Sequence, residues 1–125
     1  MTVTGPTATT SIQVYDAVPA APGEPLVLGV EGELEAGTAT EFSAALAAAA
    51  GALGGPDVLL DLGRLYRLDP TGLDAIAAGA IELARHGRRL VLACVRPGVR
   101  EFLAQAGAEA LVPVFPTLED AMLHM

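Results

Sequence analysis

The sequence predicts an α/β domain: a mostly parallel sheet of about five strands, an antiparallel strand at its N-terminal edge, and about four covering helices. Short runs rich in Val and Leu recur along the chain, as "LVLGVEG", "DVLLDL", "RLVLACV" and "LVPVF". Between them lie stretches of helical period, opening near Thr38, Thr71 and Pro97. Alternation of this kind implies parallel strands joined by crossover helices.

Residues 1–10 are small, polar and Pro-containing and read as a mobile tail ahead of a single domain over 11–125. "SIQVYDAV" and "LVLGVEG" have strand composition, and the turn-rich "PAAPGEP" between them makes an antiparallel pair. "TATE" reads as a capping box, the Thr38 hydroxyl accepting from the Glu41 N–H, with Phe42, Ala45, Leu46 and Ala49 at helical spacing behind it. "GALGGP" stops that helix. "DVLLDL" is apolar throughout, as a strand covered on both faces should be, and is expected to end near Asp61 in a loop reaching Thr71.

The next helix carries Leu73, Ile76, Ala77, Ala80, Ile81 and Ala84 as its apolar stripe, with Gly87 as C-cap residue. "RLVLACV" repeats the buried-strand signature, and its Cys94 reads as a small buried hydrophobe. Pro97 opens a helix with Val99, Phe102, Leu103 and Ala106 inward, ended by Gly107. Pro113 places "LVPVF" at a sheet edge, and Thr117 with Asp120 starts a short last helix.

Bulk composition narrows the function classes. The net charge is −8, from 15 acidic residues against 7 basic ones, and every basic residue is Arg. A chain so charged lacks the basic footprint that unspecific nucleic-acid or anionic-membrane binding needs. One cysteine allows no internal disulfide, and the opening "MTVTGPTATT" has neither a basic region nor a long apolar run. A soluble cytoplasmic protein is expected, and the lysine-free, Ala/Arg-rich composition suggests a GC-rich bacterial genome. Neither a phosphate-binding nor a dinucleotide-binding glycine pattern is present. Asp61 and Asp69 have no base, metal cluster or nucleophile beside them, so no enzyme is expected and no cofactor is assigned. His86 and His124 read as a helix-end and a tail residue.

The chemistry concentrates in "LDPTGLD". Asp69 suits an N-cap, Pro70 the first helical position, and Thr71 then falls in the first turn near the positive end of the helix dipole. A phosphate there would add about −1.5 to −2 charges. Gly72 gives clearance for another backbone or a modifying enzyme.

"DVLLDLGRLYRLDPTGLDAI", followed by "GRRLVLACVRPGVREFLAQAGAEALVPVFPTLEDAM", resembles the STAS domain of bacterial anti-sigma factor antagonists; upstream, "LVLGVEGELEAGTATEF" resembles that family's second strand, acidic turn and first helix. The resemblance covers nearly all the chain after the tail. It implies a STAS-like fold that binds an anti-sigma factor with a histidine-kinase-like ATPase fold and so releases a sigma factor. It implies that this kinase phosphorylates Thr71 to end the interaction and that a phosphatase restores it. Carried over residue by residue, Asp69, Gly72, Leu73 and Asp74 flank the acceptor, Glu33 and Glu35 form the acidic turn, and Arg67 stands where the family more often has an apolar or aromatic residue. Pro70 and Glu35 also depart from the family pattern. Self-association as a weak homodimer is left open. The rival reading is a STAS module that binds without being phosphorylated, as in signalling scaffolds or lipid-transport accessory subunits.

Overall fold

The apolar runs do become the strands of one five-stranded sheet, ordered β1-β2-β3-β4-β5. A computed structural model describes residues 11–18, 24–51 and 55–125. The strands are β1 (Ile12–Val18), β2 (Leu26–Leu34), β3 (Val58–Leu68), β4 (Leu90–Ala93) and β5 (Val114–Phe115). The helices are α1 (Ala39–Ala50), α2 (Pro70–Ala84), α3 (Pro97–Gln105) and α4 (Leu118–Leu123), with a short 3-10 turn at Ala108–Ala110. β1 runs antiparallel to β2 and every other neighbouring pair is parallel. The expected tail over 1–10 lies outside the described residues, as do parts of the two Gly/Pro-rich connections.

Both faces of the central strands are covered, which is why they carry no polar alternation. One face packs Leu28, Val30, Leu60 and Leu92 against Phe42 and Leu46 of α1, Ile76 and Leu83 of α2, and Val99 and Leu103 of α3. Val27, Leu59, Val91 and Ala93 turn to the other face, where Ala121 of α4 closes over them. Burying each such Leu or Ile contributes about 1.5–3 kcal/mol relative to exposure.

Several expectations change in the fold. β3 does not end at Asp61: it continues through "GRLYRL" to Leu68, so a strand replaces the expected loop. Pairing between β2 and β3 shifts register twice, between Gly29 and Glu31 and between Gly32 and Glu33. These irregularities turn Leu62, Leu65 and Leu68 inward at every third residue, a spacing that conceals a strand from a period-of-two reading. In α2 the buried residues are Gly72, Ala75, Ile76 and Leu83, while Ile81 is 50% exposed. The apolar stripe is therefore narrower than expected, and Ile81, five residues on from Ile76, points away from the sheet.

Gly87 does end α2, at φ 71°, with the N–H of Arg88 donating to the Leu83 carbonyl and that of Gly87 to the Ala84 carbonyl. Arg88 itself is 4% exposed. Its Nη2 donates to the Ala50 carbonyl at the end of α1, and its Nε to the Pro56 carbonyl. A single guanidinium thus holds the exit of one helix against the entry to β3. Thr117 caps α4 as expected, accepting from the Asp120 N–H at 3.0 Å.

Candidate functional site

β2 and β3 lie side by side and parallel, with Glu33 opposite Arg67 and Leu34 opposite Leu68. Their C-terminal ends therefore release two loops at one place, one entering α1 and the other α2. Open parallel sheets place ligands at this end of their strands.

The first loop is organised by Thr38. The expected capping box does not form: Thr38 precedes α1 but makes no side-chain cap bond to that helix. Its hydroxyl, 2% exposed, donates to the Glu33 carbonyl at 2.6 Å and accepts from the Glu35 N–H at 3.0 Å. In this part-buried turn the hydroxyl bonds back to the chain before it and leaves the first turn of α1 without a side-chain cap.

The second loop is organised by Asp69, the N-cap of α2. Its Oδ1 accepts from the Gly72 N–H at 2.8 Å, and Oδ2 accepts from the Ala36 N–H of the first loop at 3.3 Å. The Asp69 N–H donates to the Leu34 carbonyl at 3.2 Å. One carboxylate thus caps a helix and ties the two loops together. Gly72 is buried, and a Cβ there would lie 2.3 Å from the Leu34 carbonyl oxygen. The clearance at Gly72 is taken by the backbone of this same chain.

On the platform so built, Pro70, Thr71 and Asp74 are exposed. Thr71 is the second residue of α2, in its first turn. Leu73 is half-buried and packs on the core. Glu33 and Glu35 are half-buried. Arg67 reaches Glu35, Nε to Oε2 at 3.9 Å. Sequence reasoning missed the role of Thr38 and overlooked Tyr66, which is 53% exposed and lies 4.8 Å beneath the Arg96 guanidinium. Tyr66 also lines a polar cleft of about 370 Å³ with Gln13, Glu31 and Glu33. The alternation of buried Leu65 with exposed Tyr66 was the available signal.

Asp61 lies within β3 and accepts from the Gly63 N–H at 2.9 Å. Cys94 is not on a strand: it follows β4, half-buried, at φ 61°. Burial, and then the neighbouring Asp61 carboxylate, push its thiol up from the ordinary value. That leaves less thiolate at neutral pH, the opposite of an activated nucleophile. Among the described residues no group of three His, Cys, Asp or Glu side chains could hold a metal ion, and no helix is long and apolar enough to cross a membrane.

Comparison with known proteins adds the relatives of this arrangement. A protein-family model described as "Mlab, STAS domain" matches residues 18–113. No curated protein matches the sequence. Among solved structures, an anti-sigma factor antagonist from Mycobacterium paratuberculosis is 27% identical, with 91% of this chain and 93% of that chain covered and a TM-score of 0.76. The Bacillus cell fate determinant SpoIIAA in its phosphorylated form is 21% identical over 91% of this chain and 98% of its own, TM-score 0.60. The murine anion transporter Slc26a9 matches 82% of this chain with 18% of its own length, at 19% identity and TM-score 0.73.

Proposed function

The chain belongs to the STAS-domain family, and from that premise we propose that it is an anti-sigma factor antagonist switched off by phosphorylation of Thr71. The observation that carries this reading is an exposed hydroxyl in the first turn of α2, mounted where the β2 and β3 ends meet. The 27% identity to an anti-sigma factor antagonist across nearly the full length of both chains supports it.

In this reading the unmodified platform of Thr71, Asp74, Arg67, Glu33 and Glu35 docks an anti-sigma factor with a histidine-kinase-like ATPase fold. Leu73, Asp69 and Gly72 hold the platform in shape. The kinase supplies ATP and transfers its terminal phosphoryl group to the Thr71 hydroxyl; this chain is substrate, not enzyme, and needs no cofactor. The start of α2 tolerates the new dianion, since negative charge at a helix N-terminus is favoured by about 0.3–1 kcal/mol. The docked partner does not tolerate it. Phosphate adds bulk and like charge beside Asp74 and the acidic turn, and moving occupancy from 99% to 1% takes about 5.5 kcal/mol of differential binding. A phosphatase resets the site. The setting is the bacterial cytoplasm, without nucleic acid or membrane contact.

The test incubates the purified chain with candidate anti-sigma kinases and ATP and maps phosphate by mass spectrometry. Incorporation lost in Thr71→Ala, with at least tenfold weaker kinase binding by Thr71→Glu, is expected. Labelling elsewhere with Thr71 untouched overturns the reading. A STAS module that binds without phosphorylation is the second reading, favoured by the Mlab description of the family model and the likeness to the Slc26a9 transporter. It is selected if Thr71→Glu binds the partner as wild type does.

A further inference from the structure

A polar cleft of about 370 Å³ opens beside the first residues of β1, lined by Ser11, Gln13, Glu31, Gly32, Glu33 and Tyr66. Its lining carries two carboxylates and no positive charge. The carboxylates are not equally served. Glu31 lies 3.7 Å from the Arg64 guanidinium, in a pair whose side chains are both well exposed. Glu33 is half-buried, and among the described residues no cation stands within ion-pair distance of its carboxylate. A carboxylate drawn partly out of water without a partner is unfavourable, and a cation that arrives there recovers the loss.

Tyr66 adds an aromatic wall. Its ring already holds the Arg96 guanidinium at 4.8 Å, and Arg96 is not among the residues that line the cleft. A tyrosine ring attracts cations through its electron-rich faces. Carboxylate and ring therefore favour the same kind of visitor.

We propose that this cleft receives an arginine side chain of a partner protein. A guanidinium carries five N–H donors and no acceptor. The Glu33 and Glu31 carboxylates, the Gln13 amide oxygen and the Ser11 hydroxyl are all acceptors around one space. Charge and donor count thus match together. A lysine would bring fewer donors and no flat face to lay against Tyr66. A phosphate is repelled by the two carboxylates, and an apolar side chain would leave them dry and unpaired. The exposed Arg64–Glu31 pair is worth little in water, so Glu31 can share its charge with the newcomer. A net charge of −8 steers a basic surface toward the chain. The cleft meets the Thr71 platform at Glu33, but the inference rests on the cleft alone and holds for any protein partner. Its failure leaves the phosphorylation test untouched.

The probe is a capped peptide with one arginine between glycines, titrated to about 50 mM at about 0.1 M salt against the isotope-labelled full chain. Amide shifts are expected at Gln13, Glu31, Gly32, Glu33 and Tyr66, saturating in the millimolar range. The same peptide with citrulline, the neutral isostere of arginine, should bind about tenfold more weakly, as loss of a charge-assisted contact predicts. Glu33→Gln should weaken the arginine peptide by a similar factor. Tyr66→Leu should weaken it too, while Tyr66→Phe, which keeps the ring, retains most of the binding. Free arginine, whose own carboxylate meets the acidic cleft, should bind less well than the peptide. Shifts absent or centred elsewhere overturn the proposal. So does citrulline binding as arginine does, Glu33→Gln binding as wild type does, or free arginine binding more tightly than the peptide.

Discussion

Replacing Gly72 by alanine sets a local preference against a tertiary contact. Helix propensity favours Ala over Gly by about 1 kcal/mol in a helix interior and by less in a first turn. Against it stands Leu34. The new Cβ would lie 2.3 Å from the Leu34 carbonyl oxygen and 2.8 Å from both its carbonyl carbon and its Cγ. Non-bonded carbon contacts settle near 3.5–4.0 Å, so the start of α2 must retreat from the β2 end by roughly 1 Å. That retreat strains the Asp69 N–H to Leu34 carbonyl bond at 3.2 Å and the Ala36 N–H to Asp69 bond at 3.3 Å. Overpacking of this kind costs about 1–3 kcal/mol, and weakening the Asp69 cap up to about 1 kcal/mol more. After the propensity gain is subtracted, the net loss is about 1–3 kcal/mol. Denaturant unfolding should show a lower midpoint at unchanged slope, and thermal unfolding a melting point several degrees lower. A Gly72→Ala variant as stable as wild type, or more so, would refute the reasoning and return Gly72 to a role outside the fold.

Two further outcomes follow from the same contacts. Thr38→Val keeps the shape of the side chain but removes the partner of the Glu35 N–H and the Glu33 carbonyl in a part-buried turn; it should cost about 1–2 kcal/mol in denaturant unfolding and speed amide exchange at Glu35, with Thr38→Ser recovering most of the loss. Asp61→Asn removes the carboxylate charge that helps raise the Cys94 thiol and leaves burial, the largest cause, in place. Maleimide should therefore label Cys94 faster at pH 8 in that variant than in wild type, yet slower than in unfolded chain; slower labelling than wild type would contradict the assigned repulsion.

Much of the fold was legible because its strands and helices announce themselves locally. "DVLLDL" and "RLVLACV" admit few other structures, and Gly87, Gly107 and Thr117 end or begin helices by chemistry that acts within a few residues. The errors fall where long-range pairing overrides local pattern. "GRLYRL" became strand because β2 accepts it with two register shifts. Thr38 is an error of another kind, local rather than long-range: its hydroxyl bonds back to Glu33 and Glu35 instead of forward to its helix. Ile81 counted as core by spacing, but only the position of the sheet decides which side of a helix is covered. The candidate site was legible as a list, with Asp69, Thr71 and Gly72 in sequence order. Its division of labour was not: Asp69 and Gly72 serve the joint with Leu34 and Ala36, while Thr71 and Asp74 face outward.

The sequence by itself determined that an apolar, alternating chain must bury its strands between helices, and that a helix would begin with Thr71 in its first turn. Those outcomes depend on composition, period and capping, all of which act over short stretches. Only the tertiary structure decided that Gly72 rests against Leu34, that Asp69 ties the entry of α2 to Ala36, and that Ile81 stands outside the core. Each is set by the distance between elements remote along the chain, and such distances exist only once the sheet has been assembled.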